Sequence, residues 1–336
     1  MLIPEVLIRS RVLVEPQLAA AIGELADELL PAIQYHFGWT DLKGLPSAAD
    51  TGKRLRPALA LLSAEAVGSE TEIALPGAVA VELIHNFSLI HDDVIDGDKE
   101  RHHRPTVWAA FGTDEALIAG DALHTLAFQV LLSGDSSFCM TAARRLAGAT
   151  TAMIAGQAAD MALDDQLLVT LDACLTMEAA KTGALLGYAA SVGAVLAGGA
   201  QSAVDALDTH GRHLGLAYQA VDDILGIWGN PNLTGKPVGN DLRERKKSMP
   251  VAAVLSAGGP AAQELEAIYL CDGDLSEEEI TRASCIIEEA GGREITLKKA
   301  DHYLEAALEA LESGNFTTST LSEFEEVARF VVERDG

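Results

Sequence analysis

The chain has 336 residues, 49% hydrophobic and 22% charged, with a formal charge of −26. That size and apolar content suffice for a large buried core and exclude a disordered chain. The acidic balance excludes nucleic acid and an anionic membrane surface as partners, since like charges repel, but a local cluster of Lys, Arg and metal can still hold an anionic small molecule.

Apolar residues recur at i, i+3, i+4 and i+7 over Leu18 to Phe37, Leu55 to Val67, Ala74 to Asp96, Glu115 to Leu132, Ser137 to Leu163, Leu168 to Val195, Ser202 to Trp228 and Leu297 to Leu311. Ala and Leu are abundant and alternating Val/Ile/Thr runs are nearly absent, so the fold is expected to be all-α. Thr182 to Leu196 is apolar nearly all round and belongs in the centre of a bundle. The run to Ala200 leaves a membrane span formally open, which its Gly and Ala content disfavours. Gly97, Arg104-Pro105, Gly112, Ser133-Gly134, Gly198-Gly199, Gly229-Asn230-Pro231, Gly258-Gly259-Pro260 and Gly291-Gly292 punctuate the helices, and none of these breaks is a domain linker. A single domain over 1–336 is expected, with an acidic C-terminal part in which no chemistry is visible. Cys139, Cys174, Cys271 and Cys285 are scattered without a CxxC pair, which reads as thiols in a reducing cytoplasm. No charged-then-apolar leader opens the chain.

Two acid clusters, Asp92-Asp93-Val94-Ile95-Asp96 and Asp222-Asp223-Ile224-Leu225-Gly226, end long apolar runs. Carboxylates in such surroundings need a cation. With oxygen ligands only and no interleaved His or Cys, the cation is a hard one, Mg²⁺, which usually joins one or two carboxylates to substrate phosphates. Residues four apart share a helix face, so Asp92 and Asp96 stand side by side while Asp93 turns aside. If the second cluster faces the first across a cavity, Asp222 supplies a ligand from the opposite wall.

Cations mark where an anion would lie. Gly52-Lys53-Arg54-Leu55-Arg56-Pro57 opens a helix, with Lys53 and Arg56 facing the same way beside an anion-attracting helix N-terminus. Arg101 follows Asp96, Lys181-Thr182 interrupts an apolar helix, and Gly235-Lys236-Pro237 and Lys246-Lys247 follow the second acid cluster. Arg54 and Lys247 are expected at the surface.

Together with Leu83-Ile84-His85, Leu89-Ile90-His91, Gly120-Asp121, Gly156-Gln157 and Gln219, these motifs stand in the order found in the trans-isoprenyl diphosphate synthases, the polyprenyl synthetase family, which the chain resembles over about residues 45 to 255. The resemblance implies a bundle of long helices around a deep central cavity, of the isoprenoid synthase type, cytoplasmic and usually homodimeric. It places Asp92 and Asp96 on two Mg²⁺ ions and Asp222 on a third, with Asp223 and Gln219 in support. Arg101, Lys181, Thr182, Lys236 and Lys246 would hold an allylic diphosphate, and Lys53, Arg56 and His85 would hold isopentenyl diphosphate.

Two positions depart from the family pattern. A second arginine, expected to contact isopentenyl diphosphate, is His102 here, with Arg104 as a possible replacement, and the second acid cluster ends in Gly226 where relatives often have Asp. A class I terpene cyclase would use the same metals without Lys53, Arg56 and His85, and a non-catalytic partner subunit would tend to lose its acid clusters. Phe87, five residues before Asp92 and next to small Ser88, is expected by resemblance to form the floor that stops chain growth, with no insertion in the first acid motif. That pattern is similar to synthases making geranylgeranyl diphosphate, C20, with farnesyl diphosphate, C15, the alternative.

Overall fold

The longest apolar runs become the innermost helices. The computed structural model describes residues 3–47, 52, 54–164, 166, 168–230 and 238–333. Helices α1 (Glu5–Ile22), α2 (Leu30–His36), α3 (Leu55–Ala66), α4 (Leu75–Asp96), α5 (Val107–Phe111), α6 (Thr113–Leu132), α7 (Cys139–Asp164), α8 (Leu171–Glu178), α9 (Ala184–Leu196) and α10 (Gln201–Trp228) carry the two acid clusters at the ends of α4 and α10. Six more follow: α11 (Asn240–Arg243), α12 (Met249–Ala257), α13 (Gly259–Tyr269), α14 (Glu277–Glu289), α15 (Gly292–Glu312) and α16 (Thr318–Val332).

Every residue of α9 is buried. It packs against α3, α4, α7 and α10, so its uniformly apolar surface finds helices on all sides. In the Leu171–Leu196 stretch, 78% of the most apolar window is buried inside the protein, which accounts for the hydropathy that resembled a span. The corresponding window of α6 is only 39% buried, leaving Leu117, Ile118 and Leu132 exposed. One hydrophobic core runs from Val6 on α1 to Val332 on α16. A smaller cluster, including Ile227, Leu242, Val251, Leu265 and Ile286, holds the segment after α10 against that helix's end.

Three predicted helices differ from the structure. The span Leu18 to Phe37 is two helices separated by tight turns, in which Glu24 N–H donates to Ala21 O and Leu29 N–H to Ala26 O. Pro31, which cannot donate a helical hydrogen bond, sits in the first turn of α2, the one helical place it is tolerated. The span Leu168 to Val195 is interrupted by one π-helical turn, Ala179–Gly183, between α8 and α9. The helix expected from Leu297 begins at Gly292. Among the described residues the sheet is a minimal antiparallel hairpin, β1 (Glu100–Arg101) with β2 (Arg104–Pro105). Its turn residues His102 and His103 both have left-handed φ, 50° and 59°, the conformation whose twist suits a two-residue hairpin.

Candidate active site

The first acid wall is the C-terminal turn of α4. Asp93 turns inward, only 2% exposed, and is neutralised by Arg101, whose Nη2 lies 2.7 Å and Nε 2.9 Å from its Oδ1. The hairpin after α4 thus delivers Arg101 back onto the helix it left. Asp92 has no such private partner. Burial pushes its carboxyl up to about 6; the charges of Lys181 and Arg101 oppose that rise, and those of Asp96 and Asp93 add to it. The wall carries more negative charge than its own cations neutralise.

Lys181 lies in the π turn, with Nζ 2.5 Å from Asp160 Oδ2 on α7. Gly156, one turn before Asp160, allows this: a Cβ there would fall 2.3 Å from the Lys181 backbone nitrogen, so only glycine lets α7 close on the π turn. Lys246 reaches from the other side, its Nζ 2.9 Å from Glu244 and 3.8 Å from Asp96. The chain end beyond α10 therefore meets the end of α4.

At the start of α3 the cations are arranged differently. Arg56 Nε is buried without a hydrogen-bond partner, and burial lowers the affinity of its guanidinium for its proton. His85 is held well below the usual imidazole range, by burial first and then by the charges of Arg56, Arg101 and Arg54, so it is neutral. Arg54 is not at the surface. It is 5% exposed and forms ion pairs with Glu82 (2.5 Å) and Glu15 (2.9 Å), partners too distant in sequence for periodicity to reveal. Lys247 is also buried, with Nζ 4.5 Å from the Tyr269 ring centroid. Lys53 and Lys236 lie outside the described residues.

The second wall is the C-terminal turn of α10. Asp222 is exposed while Asp223 points inward, accepting hydrogen bonds from Gln219 Nε2 (2.8 Å) and the Met249 backbone N–H (2.7 Å). Gln219 is oriented in turn by Thr182, whose hydroxyl donates to its Oε1 at 2.9 Å. Behind them sits Glu178, 3% exposed, which accepts a weak bond from the Cys174 thiol at 3.2 Å. Treated as ionised, Glu178 Oε2 has no donor; treated as a carboxylic acid, it donates to Asp223. Burial and the Asp223 charge hold the Glu178 carboxyl well above its usual range, so the acid form is the one present.

His102 lies at the exposed hairpin tip, beside a cleft lined by Tyr35, His36, Asn86, Arg101 and Arg104. Arg104 does not stand in for it: Nη2 donates to the carbonyls of Tyr35 (3.0 Å) and Thr40 (3.4 Å), and the guanidinium covers the Tyr35 ring at 4.3 Å. Phe87 is 9% exposed and packs edge-on against His91 (4.8 Å between centroids) and tilted against His124 of α6 (5.1 Å). Ser88 returns its hydroxyl to the His85 carbonyl at 2.8 Å.

Asp92 and Asp96 end α4 and Asp222 stands near the end of α10, and their carboxylates are oxygen donors of the kind a hard divalent ion takes. Among the described residues, no three His, Cys, Asp or Glu side chains converge on one point as an all-protein metal cage. Mg²⁺ does not need one, since it takes one or two carboxylates and completes its shell with water and phosphate. Sequence reasoning missed Asp160 and Glu178. Asp160 stands one turn after Gly156 and had a readable signal in that spacing, whereas Glu178 meets its partners only through the fold.

Residues 46–287 match the polyprenyl synthetase family. A (2E,6E)-farnesyl diphosphate synthase of Mycobacterium tuberculosis is 43% identical over 96% of this chain and 91% of its own length. A geranylgeranyl diphosphate synthase of the same organism is 41% identical over 90% and 87%. The crystal structure of a polyprenyl synthetase from Streptomyces coelicolor A3(2) superposes with a TM-score of 0.93 at 47% identity, covering 97% of this chain and 98% of that one. The chain belongs to the polyprenyl synthetase family and has its all-α fold. It is a prenyltransferase of isoprenoid biosynthesis, of the short-chain trans-prenyl diphosphate synthase group.

Proposed function

We propose that this enzyme condenses isopentenyl diphosphate with an allylic diphosphate to give all-trans geranylgeranyl diphosphate, C20, within one isoprenoid synthase domain spanning the chain. The observation that carries the reading is the cation set at the start of α3: Arg56 is half-buried, with a buried Nε that no group of the protein answers, beside a neutral His85. A guanidinium with an unanswered buried N–H suits a second diphosphate, which a cyclase would not bind.

In this reading Asp92, Asp96 and Asp222 hold Mg²⁺, three ions in all, and when bound these supply Lewis-acid neutralisation of charge on the departing pyrophosphate. Arg101, Lys181, Lys246 and Lys236 grip the allylic diphosphate. For Lys181 and Lys246 this means sharing with Asp160 and Glu244, so these acids hold the ammonium groups in position before substrate arrives. Thr182 and Gln219 steady the second wall. Arg56, His85 and Lys53 hold isopentenyl diphosphate with its double bond against the allylic carbon, where orientation supplies much of the rate. The allylic C–O bond breaks first, its electron pair leaving with pyrophosphate; the double bond of isopentenyl diphosphate then attacks the allylic cation to form the new carbon–carbon bond, and the released pyrophosphate takes the proton lost on elimination. The surrounding apolar helices exclude water from the cation.

Phe87, braced by His91 and His124, is read as the floor of the chain cavity, with small Ser88 leaving room above it. Farnesyl diphosphate, C15, is the second reading, favoured by the 43% identity to a relative of that name. A second copy of this chain is read as covering α6 and α7, where Leu117, Ile118, Met140, Ile154 and Met161 are exposed. A cytoplasmic enzyme fits the scattered free thiols.

The test is to incubate purified protein with Mg²⁺, isopentenyl diphosphate and dimethylallyl, geranyl or farnesyl diphosphate, then hydrolyse and identify the alcohol. Geranylgeraniol is expected; farnesol alone would select the C15 reading, a cyclic hydrocarbon a cyclase, and inactivity a partner subunit. Phe87→Ala is expected to lengthen the main product, and an unchanged chromatogram would remove Phe87 from that role.

A further inference from the structure

We propose that Arg104 is a positioning residue for Arg101, acting through the β1–β2 hairpin rather than on a diphosphate of its own. In the hairpin register Arg101 stands opposite Arg104, with the left-handed pair His102 and His103 between them. Strands this short cannot hold such a hairpin by themselves, since an isolated two-stranded ribbon is marginal in water. Its place is set by what its base and flank are tied to.

At the base, the Asp98 carbonyl accepts from the Thr106 hydroxyl (2.8 Å) and the Trp108 indole N–H (2.7 Å). The Thr106 N–H donates to the Lys99 carbonyl at 3.0 Å. These bonds close the loop but reach no residue of either strand. Arg104 and Tyr35 supply that tie reciprocally: the Arg104 guanidinium, lying over the Tyr35 ring, donates to the Tyr35 carbonyl, while the Tyr35 hydroxyl donates to the Pro105 carbonyl at 2.8 Å. Tyr35 is 4% exposed and packs edge-on against Phe111 (5.3 Å between centroids), so the anchor belongs to the core. β2 is thereby fastened to α2, and β1, paired with β2, carries Arg101 to Asp93. Both Arg101 contacts with Asp93 fall on one oxygen, Oδ1, rather than forking over two. A guanidinium held that way can pivot, so its orientation has to come from the strand that bears it. This inference rests on the reading of Arg101 as a holder of the allylic diphosphate, where a misplacement of about 1 Å can cost about 10²-fold.

Equilibrium binding of an unreactive allylic analogue, geranyl S-thiolodiphosphate, with Mg²⁺ present tests it by calorimetry without turnover. Arg104→Ala is expected to weaken binding roughly 10-fold, and the double variant Arg104→Ala/Arg101→Ala to bind no more weakly than Arg101→Ala alone. A residue that acts through another adds nothing once that one is gone. Wild-type affinity in Arg104→Ala alongside lost affinity in Arg101→Ala would overturn the inference alone, as would additive losses in the double variant. So would a raised KM for isopentenyl diphosphate in Arg104→Ala with analogue binding unchanged, which would place Arg104 on that substrate. Wild-type affinity in Arg101→Ala would overturn the reading of Arg101 and this inference with it. Should Arg104→Ala fail to fold, Tyr35→Phe removes the hydroxyl bond to β2 and carries the same test. A loss with Arg101 present and none beside Arg101→Ala is expected; equal losses in both backgrounds, or none, would overturn the inference.

Discussion

The two acid walls solve one problem by opposite means. Each buries the second aspartate of its pair, Asp93 or Asp223, to leave a neighbour facing the cleft. On α4 the buried acid is neutralised by a full positive charge, Arg101. On α10 it is held by neutral donors, Gln219, the Met249 N–H and the carboxylic acid of Glu178. A charge-paired acid depends on keeping its charge, whereas a hydrogen-bonded one tolerates a neutral neighbourhood. The first wall thus keeps a full positive charge beside its buried acid, and the second keeps none.

Removing a cleft-facing acid should have the largest effect on either wall. Asp92→Ala is expected to lower condensation by at least about 10²-fold at saturating Mg²⁺; retention of most of the rate would show that the first wall is not where the metal acts. Amide substitutions then separate the walls. Asp93→Asn leaves Arg101 without its counter-charge and should cost about 2 kcal/mol in denaturant unfolding. Glu178→Gln should be nearly neutral near pH 5, because an amide donates to Asp223 as the acid does, while Glu178→Ala should be clearly destabilising. Equal costs for the Asp93 and Glu178 amides would erase the contrast.

The same pair predicts a pH dependence. Glu178 binds its proton more tightly folded than unfolded, since burial raises its pKa well above the usual value. Its stabilising contribution is complete below the unfolded pKa, near 4.5, and is lost as pH rises toward the folded value. Glu178→Gln should therefore gain in melting temperature over wild type progressively from pH 5 to pH 8; a constant difference would mean that Glu178 is ionised in the fold. The smallest effect is expected from His102→Arg, a modest fall in KM for isopentenyl diphosphate. With Arg104 tied to the carbonyls of Tyr35 and Thr40, no change would mean that the site does not use this position.

The helices bearing the chemistry were readable to within a few residues, because α4, α6, α7 and α10 keep one apolar face for many turns. Periodicity failed where the backbone left the 3.6-residue repeat, at the turns before α2 and in the π turn around Lys181. Asp92, Asp222 and the cations could be named because motif spacing carries them. Arg54, Lys247 and Glu178 could not be placed, since burial and long-range partners decide their state.

Arg54 has a further consequence. It caps α3 in a left-handed conformation (φ 52°, ψ 40°) that costs a non-glycine residue of order 1 kcal/mol or more, and its ties to Glu15 on α1 and Glu82 on α4 maintain it. The same residue launches the helix turn that aims Arg56. Docking of α1 is therefore felt at Arg56: without the Glu15 carboxylate, one of the two ties on the strained residue that opens α3 is gone.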